Sequence, residues 1–278
     1  MRDNDEKFAT PSSDDGAIMQ SQNTNLEFSV PTEIVTLPSR GRHYPPNHPL
    51  HGKDSIEIKF MTAKEEDILT SKALIKRGVA IDRMLQNLIL DRNIKVEDLL
   101  IGDKNAITVA ARISGYGQNY TVSITCPECE EKNKHEFDLL LLGHTKQEDI
   151  TKLPIVDNKN GTFTVPLMRT KVDVTFRLLT GKDEMEIVRS MADNKIAREE
   201  KNSTSQLKRV ITAVGDVTDK KFIEKFVDNL TVVDAKLIRN LVKRMTPDVD
   251  MRQEFQCSSC GHEEEVEIPF TVEFFWPK

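Results

Sequence analysis

Four cysteines stand in two pairs, Cys126-Pro-Glu-Cys129 and Cys257-Ser-Ser-Cys260, and the 278-residue chain has no others. A C-x-x-C turn sets two sulfurs on one side of a tight hairpin, which is half of the tetrahedral thiolate shell that zinc prefers. Two such turns complete the shell, so Cys126, Cys129, Cys257 and Cys260 are the candidate ligands of a single zinc ion. The pairs lie farther apart than those of an ordinary zinc ribbon. The separation fits a chain in which each half carries one knuckle and the metal joins the halves. Other uses of the pairs are chemically available. His135 or His262 could serve a separate site at each pair, although His262, two residues past Cys260, is awkwardly placed to close one tetrahedron. A redox pair belongs at a helix N-terminus that follows a strand, whereas both pairs here are flanked by strand-like sequence. Disulfides need an oxidising compartment. Four thiolates leave no open coordination position, so a zinc held this way is structural and not catalytic.

The opening residues MRDNDEKFATPSSDDG lack an apolar h-region, so no secretory signal is expected. No apolar run reaches the roughly 18 residues of a membrane span. The chain is then expected in a reducing cytoplasm when made, which favours metal over disulfide. A net charge of −6 and a pI near 5.6 argue against a broad nucleic-acid interface. No phosphate loop, nucleophile elbow, H-E-x-x-H or dinucleotide glycine fingerprint occurs. Gly115-Tyr-Gly117 follows a helical pattern and reads as a turn, and no enzymatic activity is expected.

The pattern of elements occurs twice. Residues 1–29 are polar and read as a flexible arm that orders on a neighbour. The turn-rich lead-in 34–52 contains His43, His48 and His51, which no cysteine or carboxylate pair frames; they read as solvated or packing side chains. Ser55–Phe60 alternates as a half-buried strand. Thr62-Ala-Lys-Glu65 is a capping box that opens a helix running to about Arg77, with Gly78 past its end. A second helix covers about 80–90. A third starts at Asp103, read as its N-cap, and leads to a strand and the first cysteine pair. In the second half, Lys171–Leu179 is a strand and Thr180-Gly-Lys-Asp183 repeats the cap. Helices follow at about 182–192 and 206–215, Phe222–Phe226 forms a further turn, and Asp234 caps the helix before the second pair. Asp103 and Asp234 each stand 23 residues before a cysteine pair. The surplus of 13 residues between the caps of the second half matches the polar stretch Asp193–Ser205, so one insertion reconciles the halves.

The expected fold is therefore α+β, with two duplicated halves, 30–145 and 146–278, each a strand, a helical bundle and a cysteine hairpin, joined at a zinc-ribbon-like site. The tail Phe270–Pro277 is the most aromatic stretch. Phe274, Phe275 and Trp276 in succession cannot all face one core, which suggests contact with a partner. Glu263-Glu-Glu265 reads as the solvated edge of a strand.

Several of these segments, taken together, resemble a known family. Leu37-Pro-Ser-Arg-Gly41 with Tyr44-Pro45, Met61-Thr-Ala-Lys-Glu-Glu-Asp-Ile-Leu69, Ile101-Gly-Asp-Lys-Asn105 and the run Ala111–Cys129 are similar to the T4-type baseplate hub proteins of contractile-tailed phages. The resemblance covers roughly residues 34–142 strongly and the second half loosely. It implies a structural virion protein of the tail baseplate, assembled in the host cytoplasm. The implied partners are other baseplate and hub proteins, within an oligomeric assembly. Two further readings stay open at this point: an assembly chaperone absent from finished particles, and a zinc-ribbon factor that binds nucleic acid.

Overall fold

The computed structural model describes residues 29–193, 203–268 and 274–275. The expected arm 1–29 falls almost wholly outside these residues, as do most of the polar stretch Asp193–Ser205 and Trp276. From Pro31 onward the chain clusters as one unit.

Strand β1 (Thr32–Thr36) pairs antiparallel with β2 (Ser55–Lys59), and Ile58 makes a bridge to Ile89. The alternation read in 55–60 puts Ile56 and Ile58 in the core. Helix α1 (Ala63–Thr70) opens on the expected capping box, with the Glu65 carboxylate accepting from the Thr62 amide at 3.0 Å and paired to Lys59 at 2.9 Å. The expected single helix to Arg77 is broken at Ser71, whose extended backbone ends α1 and starts α2 (Lys72–Lys76). The amphipathic α3 (Ala80–Leu88) buries Met84, Leu85 and Leu88.

Helix α4 (Ile101–Tyr116) is the spine of the molecule, buried along most of its length. Asp103 is not its N-cap. Leu100 holds that position, and the Asp103 carboxylate turns inward to accept from the Ser39 amide (2.9 Å), the Ser39 hydroxyl (2.6 Å) and the Tyr44 hydroxyl (2.8 Å). Burial raises its pKa against the pull of these donors. A side chain at Gly102 would place its Cβ 1.8 Å from the Pro247 carbonyl oxygen, so only glycine fits there. Lys104 bridges Asp82 (2.5 Å) and Glu184 (2.6 Å). The hairpin β3 (Asn119–Thr125) and β4 (Lys132–Asp138) follows, then the short β5 (Gly143–His144).

The second segment contributes a four-stranded sheet of β6 (Val156–Asp157), β7 (Thr162–Pro166), β8 (Asp173–Arg177) and β9 (Ile211–Val214), in that order. Helices α5 (Gly181–Asp193) and α6 (Ser203–Val210) separate β8 from β9. The helix expected over 206–215 stops at Val210. The β-branched Ile211 and Val214 are taken up by β8, opposite Phe176 and Val174. Then come α7 (Lys220–Asp228) and α8 (Val232–Met245). Thr231, not Asp234, caps α8; Asp234 sits in its first turn and accepts from the Arg169 and Thr170 amides and from the Thr170 hydroxyl at 2.6 Å. Strand β10 (Val249–Asp250) pairs with β5, and the hairpin β11 (Arg252–Gln256) and β12 (Glu263–Glu267) follows. Glu263, Glu264 and Glu265 are exposed, as expected. One apolar core runs through both segments.

At the α5 start, burial pushes the Asp183 pKa up, but Arg177, bidentate at 2.6 and 2.8 Å, and the Thr180 amide together bring it below the usual carboxylate range. A depressed carboxylate pKa adds stability above its unfolded value, and that gain is lost as pH falls through the folded value. Asp183→Asn is therefore expected to cost about 1–2 kcal/mol at neutral pH. The difference from wild type should close as the pH falls below the carboxylate range, as measured by paired thermal melts.

Two of the three tail aromatics expected to offer a partner contact are turned inward, and the third, Trp276, lies outside the described residues. Both are fully buried, Phe274 edge-on to Tyr120 (centroids 5.1 Å) and Phe275 edge-on to Tyr116 (6.4 Å). The Phe274 carbonyl accepts from Arg112 Nε at 2.7 Å. Phe274 and Phe275 are not in strand conformation, so these two adjacent side chains need not alternate between core and solvent. These two rings are therefore unavailable to a neighbouring subunit.

Candidate metal centre

Each cysteine pair sits in the turn of a hairpin, and the two turns have the same backbone. The Cys126 amide donates to the Glu131 carbonyl and the Glu130 amide to the Cys126 carbonyl, each at 2.9 Å. Likewise the Cys257 amide donates to the His262 carbonyl (2.8 Å) and the Gly261 amide to the Cys257 carbonyl (2.9 Å). Gly261 (φ 73°) and Glu130 (φ 59°) both take the left-handed conformation directly after the second cysteine. Glycine does this freely, whereas glutamate does so at some cost.

The hairpins bring the four thiols together. Cys126 Sγ lies 3.8 Å from Cys260 Sγ, Cys129 Sγ lies 3.7 Å from Cys257 Sγ, and all four lie within 4.8 Å of one another. A disulfide holds its sulfurs at about 2.05 Å, and all four cysteines are free thiols. Zinc–sulfur bonds of about 2.3 Å in a tetrahedron put the sulfurs about 3.8 Å apart, which is the spacing of the Cys126–Cys260 and Cys129–Cys257 pairs. Cys126 and Cys257 are buried against Phe255, with Ile124 and Val266 alongside; Cys129 is half-buried and Cys260 exposed. The backbone amides of Cys260 and, less strongly, Ser259 donate to Cys257 Sγ and draw its pKa down to about 6.

The histidine alternatives do not reach the cluster. His135 packs on Phe137 and Phe255, and His262 lies 3.4 Å from Glu264. Among the described residues the grouped ligand atoms are the four cysteine sulfurs. His43 packs edge-on to Phe163, His48 stacks on Tyr44, and the exposed His51 has its Nδ1 2.7 Å from the Tyr44 carbonyl, so the three lead-in histidines are packing or solvated side chains as expected.

Asn133 is the site residue that the sequence reading missed. Its Nδ2 donates to Cys257 Sγ (3.3 Å) and to the Glu131 carbonyl, while its Oδ1 accepts from the Ser258 amide (2.9 Å) and hydroxyl. It stands on the first hairpin and holds the turn of the second. No spacing rule marks such a residue; its bond to Ser258 spans 125 positions.

This is a mixed α/β protein with a four-thiol cluster shared between two hairpins. The chain matches the T4 bacteriophage base plate protein family over residues 31–276 and belongs to it. The match takes in the second segment, where the resemblance in sequence was looser. No curated protein and no solved structure matches the chain significantly. Family membership gives the chain a structural role in the tail baseplate of the virion and makes other baseplate proteins its partners. Among the described residues no helix is long and apolar enough to cross a membrane.

Proposed function

We propose that the chain is a non-enzymatic subunit of the baseplate hub, built from two duplicated repeats that one structural zinc clasps together. The observation that carries this reading is the sharing of four thiols between two hairpins at zinc-like spacing. A closed four-thiolate shell offers no position for substrate, which favours a scaffold over a catalyst. The acidic net charge favours protein partners over nucleic acid.

Matched long-range bonds support the duplication. The Ser39 hydroxyl binds Asp103, and the Thr170 hydroxyl binds Asp234, each across 64 residues and each at 2.6 Å. Lys59 pairs with Glu65, and Arg177 with Asp183, each six residues apart at the two capping boxes. Ile58 meets Ile89 after α3, and Phe176 meets Ile211 after α6. Each repeat also sends the chain beyond its cysteine hairpin into the other: β5 pairs with β10, and Phe274 returns to Arg112 at the end of α4. This alignment divides the extra length of the second repeat. Part lies between α5 and α6, and part forms α7, so the single insertion at Asp193–Ser205 gives way to two.

A quantitative mass-spectrometric inventory of purified virions and of assembly intermediates tests the placement. The chain is expected in finished particles at a fixed ratio to other baseplate proteins. Its presence in intermediates alone would replace the hub subunit with an assembly chaperone.

A further inference from the structure

In the first repeat the start of α4 is covered. The Ile101 amide donates to the Leu179 carbonyl (3.3 Å), the Gly181 amide donates to the Leu99 carbonyl (2.8 Å), and Leu100 bridges Thr180. Pro247 seats its carbonyl on Gly102. Leu178–Gly181 thus lies as an extended segment against Leu99–Ile101.

Among the described residues nothing covers the equivalent start of α8. Val232 stands where the first repeat has Ile101 and is 78% exposed, and Val233, in place of Gly102, is 55% exposed. Met168, beside the turn that Asp234 holds, is 69% exposed. The Val232 amide and the Leu230 carbonyl correspond to the Ile101 amide and the Leu99 carbonyl. Among the described residues neither has a hydrogen-bond partner. A backbone donor and acceptor therefore stand beside three exposed apolar side chains, at a place whose counterpart is closed by an extended segment.

We infer that the Met168–Val232–Val233 face docks an extended apolar segment of another baseplate protein, which adds to Leu230–Val232 as Leu178–Gly181 adds to Leu99–Ile101. The inference rests on the repeat equivalence proposed above. A second copy of this chain is disfavoured as occupant, because its own Leu178–Gly181 is already bonded to its own first repeat. Three side chains also fall far short of the roughly 800 Å² per partner of a stable free-standing dimer. Such a patch suits one contact among several in a larger assembly. Val233, larger than the glycine it replaces, seats the partner on side chains instead of directly on the helix backbone.

Amide hydrogen exchange on the full-length chain, free and within baseplate particles from infected cells, tests the docking. The Val232 and Val233 amides should exchange at least tenfold more slowly in the particles. The double variant Val232→Asp, Val233→Asp should melt at the wild-type temperature and keep its zinc content, yet enter particles at least tenfold less efficiently. Equally fast exchange in both states, or incorporation at the wild-type level, would overturn the inference. So would a lower melting temperature of the variant, or self-association of the free chain that the variant abolishes. Absence of the chain from every particle overturns the hub reading as well, whereas its presence with unprotected amides overturns the docking alone.

Discussion

Replacing the exposed Cys260 with serine is expected to cost as much stability as replacing the buried Cys126, about 3 kcal/mol or more. Ordinary surface substitutions stay within about 0.5 kcal/mol, so exposure alone argues for a small effect. The shared metal proposed above removes that distinction. Each thiolate is one corner of a single shell, and losing any corner lowers the affinity that the folded state draws on. Cys260 Sγ lies 3.8 Å from Cys126 Sγ, so the hairpins are joined through both. Either variant should release zinc and speed amide exchange in β3–β4 and β11–β12 together, while α1 and α3 keep their protection. If Cys260→Ser melts like wild type and Cys126→Ser does not, the cluster is a packed set of thiols and the metal account fails.

The second large effect is expected at Arg112. Its guanidinium is buried, has no carboxylate partner among the described residues, and gives its donors to three backbone carbonyls: Phe274 (2.7 Å), Gly117 (2.6 Å) and Asn119 (3.1 Å). It also lies over the rings of Tyr116, Tyr120 and Phe274 at 5.5–6.0 Å. Methionine fills much of the same volume but donates nothing. Arg112→Met therefore leaves carbonyls unsatisfied at about 1–3 kcal/mol each, for a total of about 3–5 kcal/mol. At the usual scaling for a chain of this size that lowers Tm by on the order of 10 °C. Arg112→Lys keeps the charge and should recover part of the loss. Faster exchange at Phe274 and Phe275 in the methionine variant would show that the arginine holds this segment. A shift of only a degree or two would mean the aromatic packing holds it alone.

What could be read from the sequence was local chemistry. The C-x-x-C turns, the Thr62 and Thr180 caps and the helix over 80–90 each depend on residues within a few positions of one another, and each is found where expected. The misses share the opposite character. Asp103 and Asp234 look like helix caps because aspartate favours that role. Their partners in the preceding turns lie 59 to 65 residues away, which no local rule reveals. Ile211–Val214 continues an amphipathic pattern and becomes a strand only because β8 offers an open edge. Phe274 and Phe275 are buried where Arg112 binds the Phe274 carbonyl from 162 residues away, a bond that no local pattern shows. Asn133 belongs to the same class. The family likeness was clearest in the first segment, and the match over residues 31–276 extends it to the second.

The central claim is that four thiols from two hairpins hold one ion. Native mass spectrometry of the full-length chain, purified under reducing conditions, tests it most directly. The account predicts a single species heavier than the apo-chain by one zinc and lighter by the protons its thiolates give up, with all of the zinc lost in Cys126→Ser. Two zinc ions per chain, or a metal-free chain with four reduced thiols and an unchanged melting temperature, would contradict it.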